Sequence, residues 1–511
     1  MQFVKDRFDY LFRSTRGLTL VAIAVVSIIT GIFGTLSGPM VEWGIKDITV
    51  TLLGMKLIEA DREGRIIMLY HTIAMTVTAI EVYFMTEILP MKRHEQTIIN
   101  GVITTGYLTA VIFGLLFAYW GHNFSFHGLF LVGQSLVFFA GILLTVALNP
   151  WKKEYLLPAD SPHARSKGGM DLERLAFFVM AIAMLISATF GAVTGSFWGN
   201  GHETFLGEDL IRNPHKTELQ KAIIGHLHIM LTLLAVGITL IVGHWVKFKG
   251  ILQKIAMPLM VIGIIGTTAG ALSVVWLEWA HTIIYVGSTF IMLAALFYVI
   301  YAWDTLIKEG TAGIKKPNFF QKMGALLKDP LKFGPGWQMV FMNFTVSGVG
   351  IFLAVKLEEI FRVWPHREER ITLTGHWHIL SALVATIILM YFADLSGLKG
   401  KVRKWFGWAI IILSDVAFGS ATVFSMKRLF VDEINQQGIV NTTMLLMDLG
   451  LGILLVVLAI FMIWRLYDLF QQKGYWSKEY ATERRINAEA ELAEQKHKAK
   501  ELNAILKEVS K

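Results

Sequence analysis

Fifteen histidines and no cysteine bound the chemistry open to this chain of 511 residues. Without thiolates there can be no disulfide, no iron–sulfur cluster, no covalently attached c-type haem and no thiolate-bridged copper. Redox or metal chemistry must therefore rest on imidazole or carboxylate. Six histidines stand at the margins of apolar stretches: His71 in MLYHTIAM, His226 and His228 in IIGHLHIM, His281 in WAHTIIYV, and His376 and His378 in TGHWHIL. Two of these segments read H-x-H. Residues two apart on a helix diverge by about 200°, so such a helix presents one imidazole on each flank and can serve two separate groups. Zinc sites on helices favour i,i+4 pairs, and these are absent. Two haems stacked between two helices need paired histidines on one face about four turns apart, also absent. Non-covalent haem is the cofactor this donor set suits best.

The elements that must position these residues are membrane spans. Apolar residues make up 54% of the chain and charged ones only 17%, where a soluble protein carries about a quarter charged. Apolar stretches fall at 18–39, 67–90, 101–120, 128–148, 175–195, 222–245, 255–279, 282–303, 337–357, 371–394, 405–426 and 441–466. Each approaches the ~20 residues that cross ~30 Å of hydrocarbon. The expected fold is all-α and integral to a membrane, with twelve transmembrane helices over 18–466, an N-terminal segment 1–17 and a tail 467–511. The first span lacks a small-residue cleavage site, so it reads as an uncleaved helix.

Lysine and arginine orient the bundle. With the N-terminus inside, the inner loops hold 24 of them and the outer loops 12. The positive-inside rule places both termini in the cytoplasm, and the net charge of +8 reflects those loops rather than nucleic-acid binding. On this topology all six histidines fall in one layer near the outer leaflet. Segment 304–336 mixes Lys with Phe, Leu and Met and is expected on the inner headgroup surface. Residues 476–511 read as a cytoplasmic helix with a sparse stripe of Ile486, Leu492, Leu502 and Ile505, either solvated or docking a partner subunit.

Carboxylates inside the spans are costly and mark function or pairing. Glu81 and Glu87 in the second span, Asp415 in the eleventh and Asp448 in the twelfth are candidates for a proton path, or for polar pairs between helices. Glu81 lies ten residues beyond His71, about 15 Å inward. Lys427, Arg428, Arg362, Arg367 and Arg370 are outer cations suited to haem propionates. GHLHIMLTLLAVG and GHWHILSALVATI resemble each other, a weak hint of duplication.

The second and tenth spans carry His71 and His376-Trp377-His378, and here the chain resembles the haem–copper oxidase superfamily. RIIMLYHTIAMTVTAIEVYFMTEILP and TLTGHWHILSALVATIILMYF are similar to the second and tenth helices of nitric oxide reductases and cbb-type oxidases. WLEWAHTIIYVGS resembles the seventh-helix segment of the wider family. The resemblance implies a subunit I-like fold and two haem b groups. One would be a low-spin haem between His71 and His378, the other a second haem on His376. It also implies a non-haem metal held by His226 or His228 together with His281.

The metal site departs from the family pattern. Thr282 follows His281 where a second histidine is expected, Val275 holds the place of the cbb-type tyrosine, and Met230 that of the reductase glutamate. Losing an imidazole disfavours copper, whereas Glu278, one helical turn before His281, would complete a site for iron. Glu278 and His281 are accordingly the catalytic candidates. The expected function is electron transfer through the two haems in a respiratory complex of a prokaryotic cytoplasmic membrane. Electrons would arrive from a c-type cytochrome or other redox subunit, or from quinol, because the chain has no donor centre of its own. An active nitric oxide or oxygen reductase is the alternative, and a secondary transporter a further one.

Overall fold

The computed structural model describes residues 11–12, 14–36, 41, 43–57, 62–158, 169–197 and 218–471. The proposed tail helix, loop 198–217 and most of the N-terminal segment lie outside the described residues. Among those described, the chain is helical with no strand, and twelve helices are long and apolar enough to cross a membrane. We number these α1 (Thr15–Gly34), α2 (Arg62–Ile88), α3 (Arg93–Tyr119), α4 (Phe124–Leu148), α5 (Leu172–Phe197) and α6 (Glu218–Trp245). The second half comprises α7 (Ile251–Ser273), α8 (Ala280–Gly310), α9 (Pro330–Val355), α10 (His366–Leu395), α11 (Gly400–Met426) and α12 (Gln436–Gln471).

Side-chain contacts fix how the spans run. At one end of the bundle the starts of α2, α6 and α10 meet: His71 faces His226, Tyr70 faces His378, and His228 meets Trp377. About 20–28 Å further along these helices, Phe84 and Trp245 both pack on Tyr391. These three helices are therefore parallel. The opposite end gathers the last turns of α2, α4 and α10 with the starts of α1, α5 and α11. Arg174 donates to the Pro90 and Ala147 carbonyls, Arg16 donates to Glu87, and Arg403 pairs with Asp394. Arg465, near the end of α12, donates to the Ser396 carbonyl, so the bundle begins and finishes on the same side.

Without a hydrophobic drive between helices in lipid, close packing must bring backbones together through small residues. A Cβ on Gly133 of α4 would lie 2.4 Å from the Ala110 backbone nitrogen of α3. One on Gly287 of α8 would lie 2.7 Å from that of Thr267 on α7. Tryptophans mark both margins as interfacial belts do. Trp276 and Trp279 stand 63% exposed at the histidine end, and Trp405 76% exposed at the other.

Several spans differ from the sequence expectation, the eighth running on to Gly310 and the twelfth covering Gln436–Gln471. The seventh helix stops at Ser273, and residues 274–279 form a turn before α8. The physical reason is the aromatic pair Trp276 and Trp279, which settles at the interface and lets the chain reverse there rather than extend the helix. The ninth span begins earlier than expected because Pro330 occupies its first helical position, where a missing N–H costs nothing. Its middle, Met342–Gly348, widens into a π-helix before regular winding resumes at Val349. Of the 304–336 segment, residues 304–310 continue α8 and 330–336 open α9, and a short helix, Phe319–Leu326, lies between them with Phe319 and Phe320 exposed.

Candidate functional site: a histidine layer between three parallel helices

Five of the six expected histidines converge from α2, α6 and α10. The divergence of H-x-H on a helix is visible twice. On α6, His226 points to α2 and α5, where its ring packs over Gly191, while His228 points to α10 and meets the Trp377 ring edge-on at 5.1 Å between centroids. On α10, His376 turns toward Gly350 of α9, whose Cβ would stand 3.5 Å from its Nε2, while His378 turns to α2. The tenth helix thus serves two flanks.

The pairing across the helices differs from the expected one. His71 lies opposite His226, with ring centroids 6.4 Å apart and planes 19° from parallel. His378 instead bonds through Nε2 to the Tyr70 hydroxyl. Consecutive residues on a helix point about 100° apart. Tyr70 therefore takes the flank of α2 that faces α10, and His71 the flank that faces α6. Tyr70 carries no weight in a sequence search for ligands, because only the neighbouring helix gives its hydroxyl a role. Ser187, Gly191 and Gly350 escape such a search for the same reason.

Backbone carbonyls set the imidazole tautomers. Nδ1–H of His71 donates to the Ile67 carbonyl at 2.8 Å, that of His228 to Ile224 at 2.8 Å, and that of His226 across to Ser187 of α5 at 2.8 Å. In each ring the lone pair then sits on Nε2, the outward atom, which is how metal-bound histidines are usually oriented. Nδ1 of His376 is buried without a hydrogen-bond partner.

The remaining candidates sit elsewhere. Glu278 is exposed in the turn after α7, and His281 is the exposed second residue of α8, its Nδ1–H held by the Glu278 carbonyl at 2.8 Å. Ending α7 at Ser273 removes the helical face the two were expected to share. Among the described residues, no group of three or more His, Asp or Glu side chains is arranged to hold a metal ion. Glu87 pairs with Arg16 at 2.8 Å. Asp415 accepts from Trp337 Nε1 at 2.7 Å and from Gln338 at 3.3 Å. Both behave as interhelical pairs. Asp448 is half-buried on α12. Glu81 alone is fully buried with neither carboxylate oxygen hydrogen-bonded, pressed against Gly237 of α6.

Two of the cations expected to meet propionates are engaged by carboxylates. Lys427 pairs with Glu368, and Arg362 with the fully buried Glu369 at 2.6 Å. Arg428 stands 6.0 Å over the Trp364 ring. The Arg367 and Arg370 side chains lie outside the described residues. The chain matches no family model, no curated protein and no solved structure.

Proposed function

We propose that the chain is a haem b-binding electron-transfer subunit of a membrane respiratory complex, built like the catalytic subunit of the haem–copper oxidases. One observation carries this reading. Five imidazoles from three parallel helices gather in one layer, and three of them have Nδ1–H tied to carbonyls, which puts the ligating lone pair on Nε2. Bound haem would supply a one-electron carrier. The chain's part would be to hold one haem on His71 and a second on His376, and to keep water out with the surrounding apolar helices. Glu81, about 15 Å along α2 from His71, is placed to hold a proton below the layer. Because the bundle begins and ends on the lysine- and arginine-rich side, the positive-inside rule supports cytoplasmic termini in a prokaryotic inner membrane. The donor is then a quinol or a c-type cytochrome subunit.

The separation of Glu278 and His281 from the α6 histidines favours electron transfer over nitric oxide or oxygen reduction, which would need a third metal beside the second haem. Purified protein should show a Soret band and yield two haems per chain on acid–acetone extraction, with two irons in all. A third iron would favour a reductase with a haem/non-haem iron centre. Absence of the Soret band would overturn the haem reading and favour a secondary transporter, for which the π-helical turn in mid-span α9 is the supporting feature.

A further inference from the structure

We infer that the cavity between the ends of α6 and α8 and the start of α9 binds an anionic phospholipid, whose phosphodiester is held by Lys247 and Lys332. This site does not rest on the haem reading, because Trp245 at its edge lies about 28 Å along α6 from His226. The cavity measures about 130 Å³ and is lined by Trp245, Val246, Lys247, Leu306, Glu309 and Lys332 among others. Val246 and Leu306 are half-buried, whereas Lys247, Glu309 and Lys332 are exposed, so the space is apolar within and charged at its mouth. Two amines against one carboxylate leave that mouth one positive charge in excess, the complement of a single phosphodiester. Basic pockets between transmembrane helices on the lysine-rich side take lipid headgroups in this way.

The backbone at Lys247 supplies a second, independent observation. It is the sole non-glycine with positive φ among the described residues, at 54°. Its N–H bonds to the His244 carbonyl at 3.0 Å, and that of Phe248 to Gly243 at 2.9 Å, the two bonds of a Schellman cap. Helix Ile45–Leu53 ends in the same pair of bonds, with Gly54 at the equivalent position and φ 61°. Glycine adopts that conformation without a Cβ penalty. A lysine there costs the cap stability, and strain of this kind persists where the side chain has another use. The Tyr301 hydroxyl donates to the Lys247 carbonyl at 3.0 Å and fixes the turn. Among the described residues, neither the Lys247 nor the Lys332 amine pairs with a carboxylate, whereas Lys308 pairs with Asp304 and Arg403 with Asp329.

The short helix Phe319–Leu326 marks the depth of the membrane surface beside the cavity. It packs on the last residue of α8, where a Cβ on Gly310 would lie 3.0 Å from the Ala325 Cα. Phe319 and Phe320 stand 70% and 81% exposed, and such rings settle at the boundary of headgroups and acyl chains. The neighbouring mouth of the cavity is thereby set at the level of the phosphates.

The test uses the full-length protein, purified in detergent, stripped of lipid and titrated with phosphatidylglycerol, phosphatidylcholine or inorganic phosphate. Native mass spectrometry and thermal unfolding read the result. Phosphatidylglycerol should bind about fivefold tighter than phosphatidylcholine and raise the unfolding temperature, and inorganic phosphate should do neither. Lys247→Gly restores the residue usual at such a cap, so the lipid-free protein should unfold no earlier than wild type. Its affinity for phosphatidylglycerol should nevertheless fall about fivefold, and that of Lys332→Gln likewise. Lys308→Gln, outside the cavity, should bind as wild type does. Equal affinity for the two lipids, an unchanged affinity in either Lys247→Gly or Lys332→Gln, or an equal loss in Lys308→Gln overturns the inference. So does a Lys247→Gly protein that loses stability without lipid, which would make the lysine structural. Stabilisation by inorganic phosphate as strong as that by phosphatidylglycerol would assign the site to a soluble phosphate and defeat the lipid.

Discussion

Both ends of the bundle pair charges, but only one gathers imidazoles. At the end opposite the histidines, charges are matched with partners of opposite sign. Arg403 binds Asp329 through Nε and Nη2 at 3.0 and 2.9 Å and reaches Asp394 as well. Asp394 also accepts from Trp245 Nε1 at 2.8 Å. Arg174 spans two carbonyls and lies 3.7 Å over the Tyr155 ring. Such networks cost desolvation and return it as hydrogen bonds, leaving little to react. At the histidine end, His71 and His226 each tie Nδ1–H to a carbonyl, and their rings stack 6.4 Å apart between centroids. Where charges are matched in this way the chain is building a joint. Where imidazoles gather with Nδ1–H tied back to carbonyls, it offers a candidate site.

The contrast can be broken at its strongest point first. Arg403→Ala leaves two half-buried carboxylates without their cation and should destabilise the bundle by about 3–5 kcal/mol. Unfolding in a detergent titration measures the loss, and the haem spectrum of the protein that remains folded should match wild type. A changed spectrum would mean that the two ends are not separable. Gly191→Ala acts on the other end, because the added methyl collides with the His226 ring. Overpacking of this kind costs about 1–3 kcal/mol, which the same unfolding titration should register. Wild-type stability would show that the ring can move aside without loss.

Asp415→Asn sharpens the comparison in mid-span. Its carboxylate accepts from both Trp337 and Gln338, and an amide offers a single acceptor oxygen, so about 1–2 kcal/mol should be lost. Haem content should be unaffected. If electron transfer or proton uptake fell while stability held, Asp415 would belong to a proton path instead of a joint. The smallest effect is expected at Lys308, whose i,i+4 pair with Asp304 is largely exposed. Lys308→Ala should change stability by less than about 0.5 kcal/mol, and the same unfolding titration supplies this baseline.

Much of the architecture is legible in the order of residues along the chain. Twelve stretches of about 20 apolar residues each admit one low-energy solution in lipid, since a helix satisfies its own backbone groups. The period of 3.6 residues makes the two H-x-H segments diverge whatever surrounds them. His226 and His228 accordingly face different helices, and so do His376 and His378. The gathering of histidines at one end follows from counting spans, because His71, His226 and His376 all lie near the starts of even-numbered helices.

Which imidazole meets which was settled by tertiary structure alone. Periodicity fixes a side chain's direction relative to its own helix axis and says nothing of how that helix is rotated against its neighbours. Rotation is decided by packing: Gly191 admits the His226 ring to the α5 side, and Tyr70 takes the flank of α2 that His71 would need to reach His378. The same limit hid the end of α7. Hydropathy runs on through Val274, Val275 and Leu277, but the helix ends at Ser273 and Trp276 and Trp279 stand exposed, so Glu278 lies on a turn and His281 at the start of the next helix. Charge pairs were equally beyond reach, since nothing in one dimension assigns Glu368 to Lys427 or Glu369 to Arg362. The sequence by itself determined the spans, the end at which the histidines lie and the divergence within each H-x-H, because these depend on local geometry and the lipid. The partner of each histidine depended on helix rotation, a property of the packed bundle as a whole.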